Sequence, residues 1–172
     1  HDAAASWIHR VDPGRFVHHE GAERWRNASP AKSWRRPPTE SERNSNDVLT
    51  AMYAPIQTLV EWARWAEKTG KDDRPLLICE YSHAMGNSNG SLDRYLDAFW
   101  SEPAIAGGFV WDWRDQGLAE HDANGRFYWA YGGHFGDEPN DANFCINGLV
   151  GPDLTPHPVM RELAWGCRPV TA

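Results

Sequence analysis

A short apolar run that ends on a carboxylate is the feature of this chain that most constrains its fold. In the segment RPLLICEYSHAMGN, residues 74–87, apolar side chains run from Pro75 to Cys79, and Glu80 follows at once. A run of this kind, followed by a backbone breaker such as Gly86, is typical of a strand buried on both faces. In an α/β barrel, reactive side chains collect at the carboxyl ends of such strands. The segment therefore predicts a buried parallel strand that carries Glu80 at its polar end, as a candidate nucleophile or proton-transfer group.

Predicted strands and helices alternate along much of the chain. The strands are predicted at 15–19, 48–53, 75–79 and 104–113, and the helices at 2–9, 56–68, 91–100 and 159–165. Strands that are separated by helices pair in parallel through right-handed crossovers. Four such strands are about half of an eight-stranded barrel. We therefore expect an α/β fold, a partial (β/α)8 TIM barrel with about four mostly parallel strands, followed by long C-terminal loops from residue 114.

One domain is expected for residues 1–172, with a long polar segment inside it. Residues 22–46 contain three prolines and several basic side chains, and they predict a long surface loop or a partly disordered insertion. The basic side chains alternate with Trp25 and Trp34, as in some nucleic-acid-binding surfaces. The net charge of −7 favours a solvated loop instead, because binding to phosphates requires a positive surface.

Composition narrows the classes of partner and location. No apolar run approaches the length of a membrane span, so we expect no membrane partner and, from the acidic charge, no nucleic acid. Cys79, Cys145 and Cys167 are odd in number and lack metal-binding spacing, which predicts free buried thiols and a reducing, cytoplasmic location. Ten Trp residues supply broad aromatic faces on which sugar rings can stack, although several are expected to fill the core.

Three ordered blocks resemble one known family. They are ICEYSHAMGNS at 78–88, GGFVWDWRDQ at 107–116 and YGGHFGDEPNDANFCINGLV at 131–150, followed by TPHP at 155–158. Together with the opening HDAAASWIHRVDPGRFVHHEG, they are similar to the C-terminal half of the catalytic barrel of β-galactosidases of glycoside hydrolase family 2. The resemblance covers nearly the whole chain and is weakest at 22–46. It implies a hydrolase that releases galactose from terminal β-D-galactosides such as lactose, with retention at the anomeric carbon.

The resemblance also implies roles for individual residues. Glu80 matches the nucleophile that forms a covalent glycosyl-enzyme, and Tyr53 matches a tyrosine close to that nucleophile. His83 matches a histidine that contacts the galactosyl hydroxyls, and Trp111 matches an aromatic wall beneath the sugar. Asn147 is a third candidate for substrate binding.

Two metal ions follow from the same resemblance. Phe144, through its backbone carbonyl, and Asn147, through its side chain, match positions that hold Na⁺, for which the family takes a further ligand from an earlier domain. The family's Mg²⁺ ligands and its acid/base glutamate lie upstream of the counterpart of His1. A retaining glycosidase needs two carboxyl groups about 5–5.5 Å apart. We therefore expect a fragment of a homo-oligomeric parent, inactive by itself because the acid/base glutamate lies upstream.

Three alternatives remain at this stage. The chain could be a non-catalytic galactose-binding module or a structural half-barrel, or it could come from another family 2 glycosidase such as a β-glucuronidase. The HAMGN and NFCING segments are similar to the galactosidase pattern rather than to that of β-glucuronidases. Asp112 and Asp115 could act as surrogate acids, but structural hydrogen bonding is the favoured interpretation for both, because nothing in the sequence places them opposite Glu80.

Overall fold

The computed structural model describes residues 1–20 and 46–168. Its helices and strands are, in chain order, α1 (Asp2–Val11), β1 (Leu49–Met52), α2 (Ile56–Thr69), β2 (Leu76–His83), α3 (Leu92–Ser101), β3 (Ile105–Trp111), β4 (Leu118–His121), β5 (Phe127–Ala130) and α4 (Val159–Gly166), with a short 3-10 helix at Ala142–Cys145. The loop predicted at 22–46 lies outside the described residues, apart from Asn46.

Strands β1, β2 and β3 form one sheet in that order. β1 pairs in parallel with β2, with Leu49 opposite Leu76. At the start of β2 the Leu76 N–H donates to the Ala104 carbonyl at 2.9 Å, and beyond its end the Ala84 N–H donates to the Trp111 carbonyl at 2.6 Å. One bond joins the beginnings of β2 and β3, and the other joins their ends. The two strands therefore run in the same direction. The predicted α/β class with a parallel sheet is confirmed. In the described part of the chain this sheet has three strands and does not close into a barrel.

The strand predicted at 15–19 is wrong. Val17 is buried. Its N–H donates to the Asp47 carboxylate at 2.7 Å, and its carbonyl accepts the Asp47 N–H at 2.9 Å. Its neighbour Phe16 is 84% exposed, and His18 and His19 are exposed too. A single buried side chain gives the segment too little apolar surface to add a strand to the sheet.

Helix α2 shows why the central elements form as predicted. Its buried side chains recur at helical spacing, and they are Leu59, Trp62, Ala63 and Ala66. This apolar face packs into the core while charged residues occupy the other side. Gly70 then ends the helix with a left-handed backbone, φ 60°, which glycine adopts without a steric cost.

The C-terminal region is more ordered than predicted. β4 and β5 pair antiparallel, with Leu118 opposite Ala130 and His121 opposite Phe127, where the sequence predicts loops. The Asp122 carboxylate shapes the connecting turn by accepting the N–H groups of Asn124 and Arg126, at 2.8 Å and 2.9 Å. Because both strands are short and mostly exposed, their sequences lack the alternation that would have predicted them.

The described residues divide into two compact units. The first comprises the described parts of His1–Tyr81 and Arg94–Phe109, and the second comprises those of Ser82–Asp93 and Val110–Ala172. The expectation of a single domain over 1–172 stays a prediction. No helix in the described part of the chain is long and apolar enough to cross a membrane.

The three cysteines are free thiols, but the prediction that all of them are buried is wrong. Cys79 and Cys145 are half-buried, and Cys167 is exposed just after α4.

Candidate active site

A hydrogen bond joins two of the predicted catalytic residues in the first unit. The Tyr53 hydroxyl donates to Oε2 of Glu80 at 2.6 Å, and the Tyr53 backbone N–H donates to the Glu80 carbonyl at 2.7 Å. A hydroxyl that donates to a carboxylate makes a short, charge-assisted bond with a defined direction. The carboxylate of Glu80 is therefore held by a side chain that comes from the end of the neighbouring strand.

Sheet irregularity explains how Tyr53 reaches Glu80. The register between β1 and β2 shifts after Ala51, which lies opposite Ile78, so that Met52 lies opposite Glu80. Tyr53 follows with a left-handed backbone, φ 50°, which is costly for an aromatic residue. Bulges of this kind redirect side chains and are frequent next to active sites.

The pKa of Tyr53 is raised well above its ordinary value of 10.0. Partial burial is the largest cause, followed by the hydrogen bond to Glu80 and by the negative charge of that carboxylate. The hydroxyl consequently stays protonated at neutral pH and remains a hydrogen-bond donor to Glu80.

The sequence predicts that the strand ends at Glu80. In the structure β2 continues for three more residues, to His83. Tyr81 packs against Tyr95 and Phe99 of α3, with ring centroids 5.3 Å and 5.2 Å away. Since successive side chains alternate across a strand, Glu80 points to the face opposite α3.

The second unit brings together His83 and Phe144. Their rings lie nearly parallel, 29° apart, with centroids separated by 5.7 Å. Nδ1 of His83 accepts the Met85 N–H at 3.2 Å, so the neutral ring carries its proton on Nε2. Stacking on Phe144 and this bond to Met85 together fix the plane of the imidazole.

The Asn147 side chain carries an oxygen that could be a ligand of the predicted cation. The residue is 3% exposed, its Oδ1 has no hydrogen-bond partner among the described residues, and its Nδ2 donates to the Phe144 carbonyl at 2.7 Å. A half-turn of the amide would present Oδ1 on the side of that carbonyl, giving two neutral oxygens of the kind that hard cations prefer. With the amide turned in this way, the two oxygens would suit Na⁺. Both the Na⁺ and the Mg²⁺ sites stay predictions.

Trp111 ends β3 with its side chain 40% exposed, and its carbonyl accepts the Ala84 N–H. The next residue, Asp112, donates its N–H to the Asn147 carbonyl at 2.8 Å and accepts the Leu149 N–H at 3.0 Å. Trp111 is thus placed next to the segment that holds Asn147, and part of its surface is exposed.

Asp115 has the structural hydrogen bonds that the sequence favours for it. It is 5% exposed; Oδ1 accepts the Gly148 N–H at 2.6 Å, and Oδ2 lies 2.7 Å from Nε2 of His157. Sequence reasoning does not single out His157 as a partner, and only its position in the TPHP segment could have drawn attention to it.

The comparisons with known proteins identify the family. A model described as "Glycosyl hydrolases family 2, TIM barrel domain" matches residues 1–171. The chain belongs to this family. The resemblance inferred from the sequence blocks is thereby confirmed.

Relatives within glycosyl hydrolase family 2 are named as β-galactosidases. The chain is 42% identical to one from Vibrio vulnificus over 99% of its length, and 41% identical to one from Photobacterium profundum over 99%. It is 44% identical to one from Alteromonas mediterranea over 94% of its length. The chain spans only 15–16% of the length of these relatives.

Proposed function

We propose that this chain carries the nucleophile of a retaining β-galactosidase, and that Glu80 is that nucleophile. The observation that supports the proposal best is the 2.6 Å hydrogen bond from Tyr53 to Oε2 of Glu80. It orients the carboxylate and supplies a donor to it, as a nucleophilic carboxylate requires. The family to which the chain belongs supplies the reaction class.

In this mechanism Oε1 of Glu80 attacks the anomeric carbon while Tyr53 holds Oε2. The bond from that carbon to the leaving oxygen breaks, and an acid donates a proton to the departing alcohol. Water, deprotonated by the same group, then displaces Glu80, so galactose leaves with its original configuration. The proposal assigns this acid/base role to a carboxyl group outside the chain, because the resemblance places its motif before the counterpart of His1.

The family resemblance supports further roles in recognition of the galactosyl group. We propose that His83 contacts the sugar hydroxyls, that Trp111 offers its exposed face to the ring, and that Asn147 binds a hydroxyl directly or through Na⁺. When bound by Phe144 and Asn147, the sodium ion would supply a positive charge that attracts hydroxyl oxygens. The names of the relatives support a β-galactoside over a β-glucuronide as the substrate.

A test of the nucleophile must not depend on the acid. A 2-deoxy-2-fluoro-β-galactoside with a dinitrophenyl leaving group suits this purpose, because its leaving group departs without protonation and the fluorine slows hydrolysis of the intermediate. After incubation with the chain, mass spectrometry of peptides should show one fluorogalactosyl group on Glu80.

Two variants make the result decisive. Glu80→Gln should abolish labelling, whereas Glu120→Gln, which removes a carboxylate from the exposed hairpin, should leave it intact. Label on another side chain, or no label on the folded chain, would overturn the proposal for Glu80.

A second candidate function is galactose binding without catalysis. The stacked His83 and Phe144 rings and the partial exposure of Trp111 are the observations that favour it. Titration with galactose should then change the Trp fluorescence of the chain and not that of Trp111→Ala. An unchanged signal at tens of millimolar galactose would contradict this candidate.

A further inference from the structure

We infer that Asp115 is a positioning residue for Asn147, acting through the Gly148 N–H and the His157 ring. What Asn147 does for substrate or Na⁺ rests on the proposed function, but the positioning of its side chain does not. Three segments of the second unit, 112–115, 147–150 and 155–158, meet at the buried carboxylate of Asp115.

The carboxylate of Asp115 uses both of its oxygens. Oδ1 accepts the Gly148 N–H at 2.6 Å, and Oδ2 lies 2.7 Å from Nε2 of His157. The Asp115 side chain is 5% exposed, whereas that of His157 is 43% exposed. A buried carboxylate is costly unless hydrogen-bonded, so these two bonds favour the arrangement in which the three segments meet.

Gly148 allows a very close approach to this carboxylate. A Cβ at position 148 would clash with the Asp115 nitrogen and with the Arg114 carbonyl carbon. No side chain fits there, because those atoms belong to the backbone and cannot turn away. The peptide between Asn147 and Gly148 is therefore pressed against residues 114–115.

Backbone hydrogen bonds also join segment 147–150 to segments 112–115 and 155–158. The Asp112 N–H donates to the Asn147 carbonyl at 2.8 Å, and the Asp115 N–H donates to the Val150 carbonyl at 2.9 Å. On the other side, the His157 N–H donates to the Leu149 carbonyl at 3.1 Å. The backbone that carries Asn147 is thus tied to both neighbouring segments.

The consequence is a fixed direction for the Asn147 side chain. Its amide reaches the Phe144 carbonyl at 2.7 Å, and its buried Oδ1 has no hydrogen-bond partner among residues 1–20 and 46–168. Apart from the bond to the Phe144 carbonyl, the direction of this amide depends on the backbone that carries it. Loss of the Asp115 carboxylate should therefore release the Asn147 amide.

Three variants separate positioning from simple structural support. Asp115→Ala removes both bonds. Asp115→Asn keeps an acceptor for Gly148 and a polar group for His157, and it should behave as a rescue. Asp122→Ala is the matched control, because the Asp122 carboxylate likewise makes two hydrogen bonds in the same unit, to two backbone N–H groups of the turn between β4 and β5.

The first measurement is nuclear magnetic resonance on the whole 172-residue chain. Asp115→Ala should move the Gly148 amide resonance upfield and broaden or shift the Asn147 side-chain amide pair. Asp115→Asn should restore both, and Asp122→Ala should leave both in place. If Asp115→Ala does not fold, His157→Ala, which removes one of the two bonds, replaces it. Asn147 amide resonances unchanged in the folded variant would overturn the inference.

The second measurement uses a chimera of the Vibrio vulnificus relative in which this chain replaces the aligned segment. Asp115→Ala should raise the Na⁺ concentration for half-maximal activity by about 10- to 100-fold, since groups that orient metal ligands have effects of this size. The kcat at saturating Na⁺ should change less than about threefold, and an equal loss at all Na⁺ concentrations would contradict the inference.

The two measurements distinguish the inference from the proposed function. An inactive chimera with the unaltered chain would count against the proposed function, and the resonances of Asn147 would still decide the positioning role of Asp115. An active chimera with an unchanged Na⁺ response in Asp115→Ala would overturn the inference alone.

Discussion

Tyr53 combines an unfavourable backbone with two hydrogen bonds to one residue. A left-handed non-glycine residue costs about 1–3 kcal/mol and persists only where its surroundings impose it. Here the imposing contacts both lead to Glu80, one from the backbone and one from the hydroxyl. The conformation therefore has a clear result, which is the placement of a phenol against the candidate nucleophile.

Tyr53→Phe should keep the ring and remove the hydroxyl bond to Glu80. We expect labelling of Glu80 by the fluorogalactoside to slow by about 10- to 100-fold, since a hydrogen bond to a charged group contributes about 1.5–3 kcal/mol. The measurement is the rate at which the labelled mass appears. Tyr95→Phe is the control, because it also loses one hydroxyl bond in the same unit, to the Ala54 carbonyl at 3.0 Å. Equal rates for the two variants would contradict a role for Tyr53.

Strands β2 and β3 approach each other closely at Gly108. A Cβ there would lie 2.9 Å from Cδ1 of Tyr81 and 3.0 Å from the Ile78 carbonyl oxygen. Gly108→Ala should therefore lower the free energy of unfolding by about 1–3 kcal/mol, the usual cost of overpacking. Urea denaturation followed by circular dichroism measures the change. Gly90→Ala, where nothing lies within 4 Å of the added Cβ, should change stability by less than about 0.5 kcal/mol.

Asp47 links α1 to the residues before β1. Its carboxylate accepts the Val17 N–H and lies 2.8 Å from Nε2 of His9. The Val17 bond is the main cause that holds the pKa of Asp47 below its ordinary value of 3.8, and the His9 contact adds to it. A carboxyl group with a lowered pKa stabilises the fold above its unfolded pKa, and this contribution disappears as the pH falls through the folded value.

Asp47→Asn should lower the free energy of unfolding by about 1 kcal/mol at pH 7, because the amide bonds more weakly than the carboxylate. The difference from the unaltered chain should stay constant down to about pH 4 and shrink at lower pH, as Asp47 itself becomes protonated. Urea denaturation at a series of pH values measures it. Asp12→Asn, which alters an exposed pair with Arg15, should have little effect. A difference that grows toward low pH would contradict the assignment.

The elements also show which parts of the fold could be predicted from the sequence. β2 was predictable because its apolar run has no helical period and ends in polar residues, whereas β4 and β5 were missed because exposed hairpin strands lack alternation. The pairing of Tyr53 with Glu80 depends on a register shift that no local pattern encodes, and only the family resemblance brought these residues together. The Asp115, Gly148 and His157 contacts depend on three loops meeting, so composition and spacing held no sign of them.

The whole chain corresponds to only 15–16% of the length of its β-galactosidase relatives. In the proposed mechanism the chain contributes Glu80 and Tyr53, while proton donation comes from a carboxyl group outside it. Cleavage of an ordinary galactoside needs that proton, since an alkoxide is a poor leaving group. Nucleophilic attack can therefore be tested without proton donation by choosing a substrate whose leaving group departs without a proton.

We expect the isolated chain to hydrolyse a nitrophenyl or alkyl β-galactoside no faster than background, yet to react with the dinitrophenyl fluorogalactoside. The Vibrio vulnificus chimera should hydrolyse both classes of galactoside, because the remainder of that protein surrounds the transplanted segment. Glu80→Gln in the chimera should lower kcat by about a thousandfold or more, as loss of a covalent nucleophile does. Rapid turnover of an alkyl galactoside by the isolated chain would show that it holds its own proton donor. Asp112 would be the candidate, because its buried Oδ1 has no hydrogen-bond partner among the described residues.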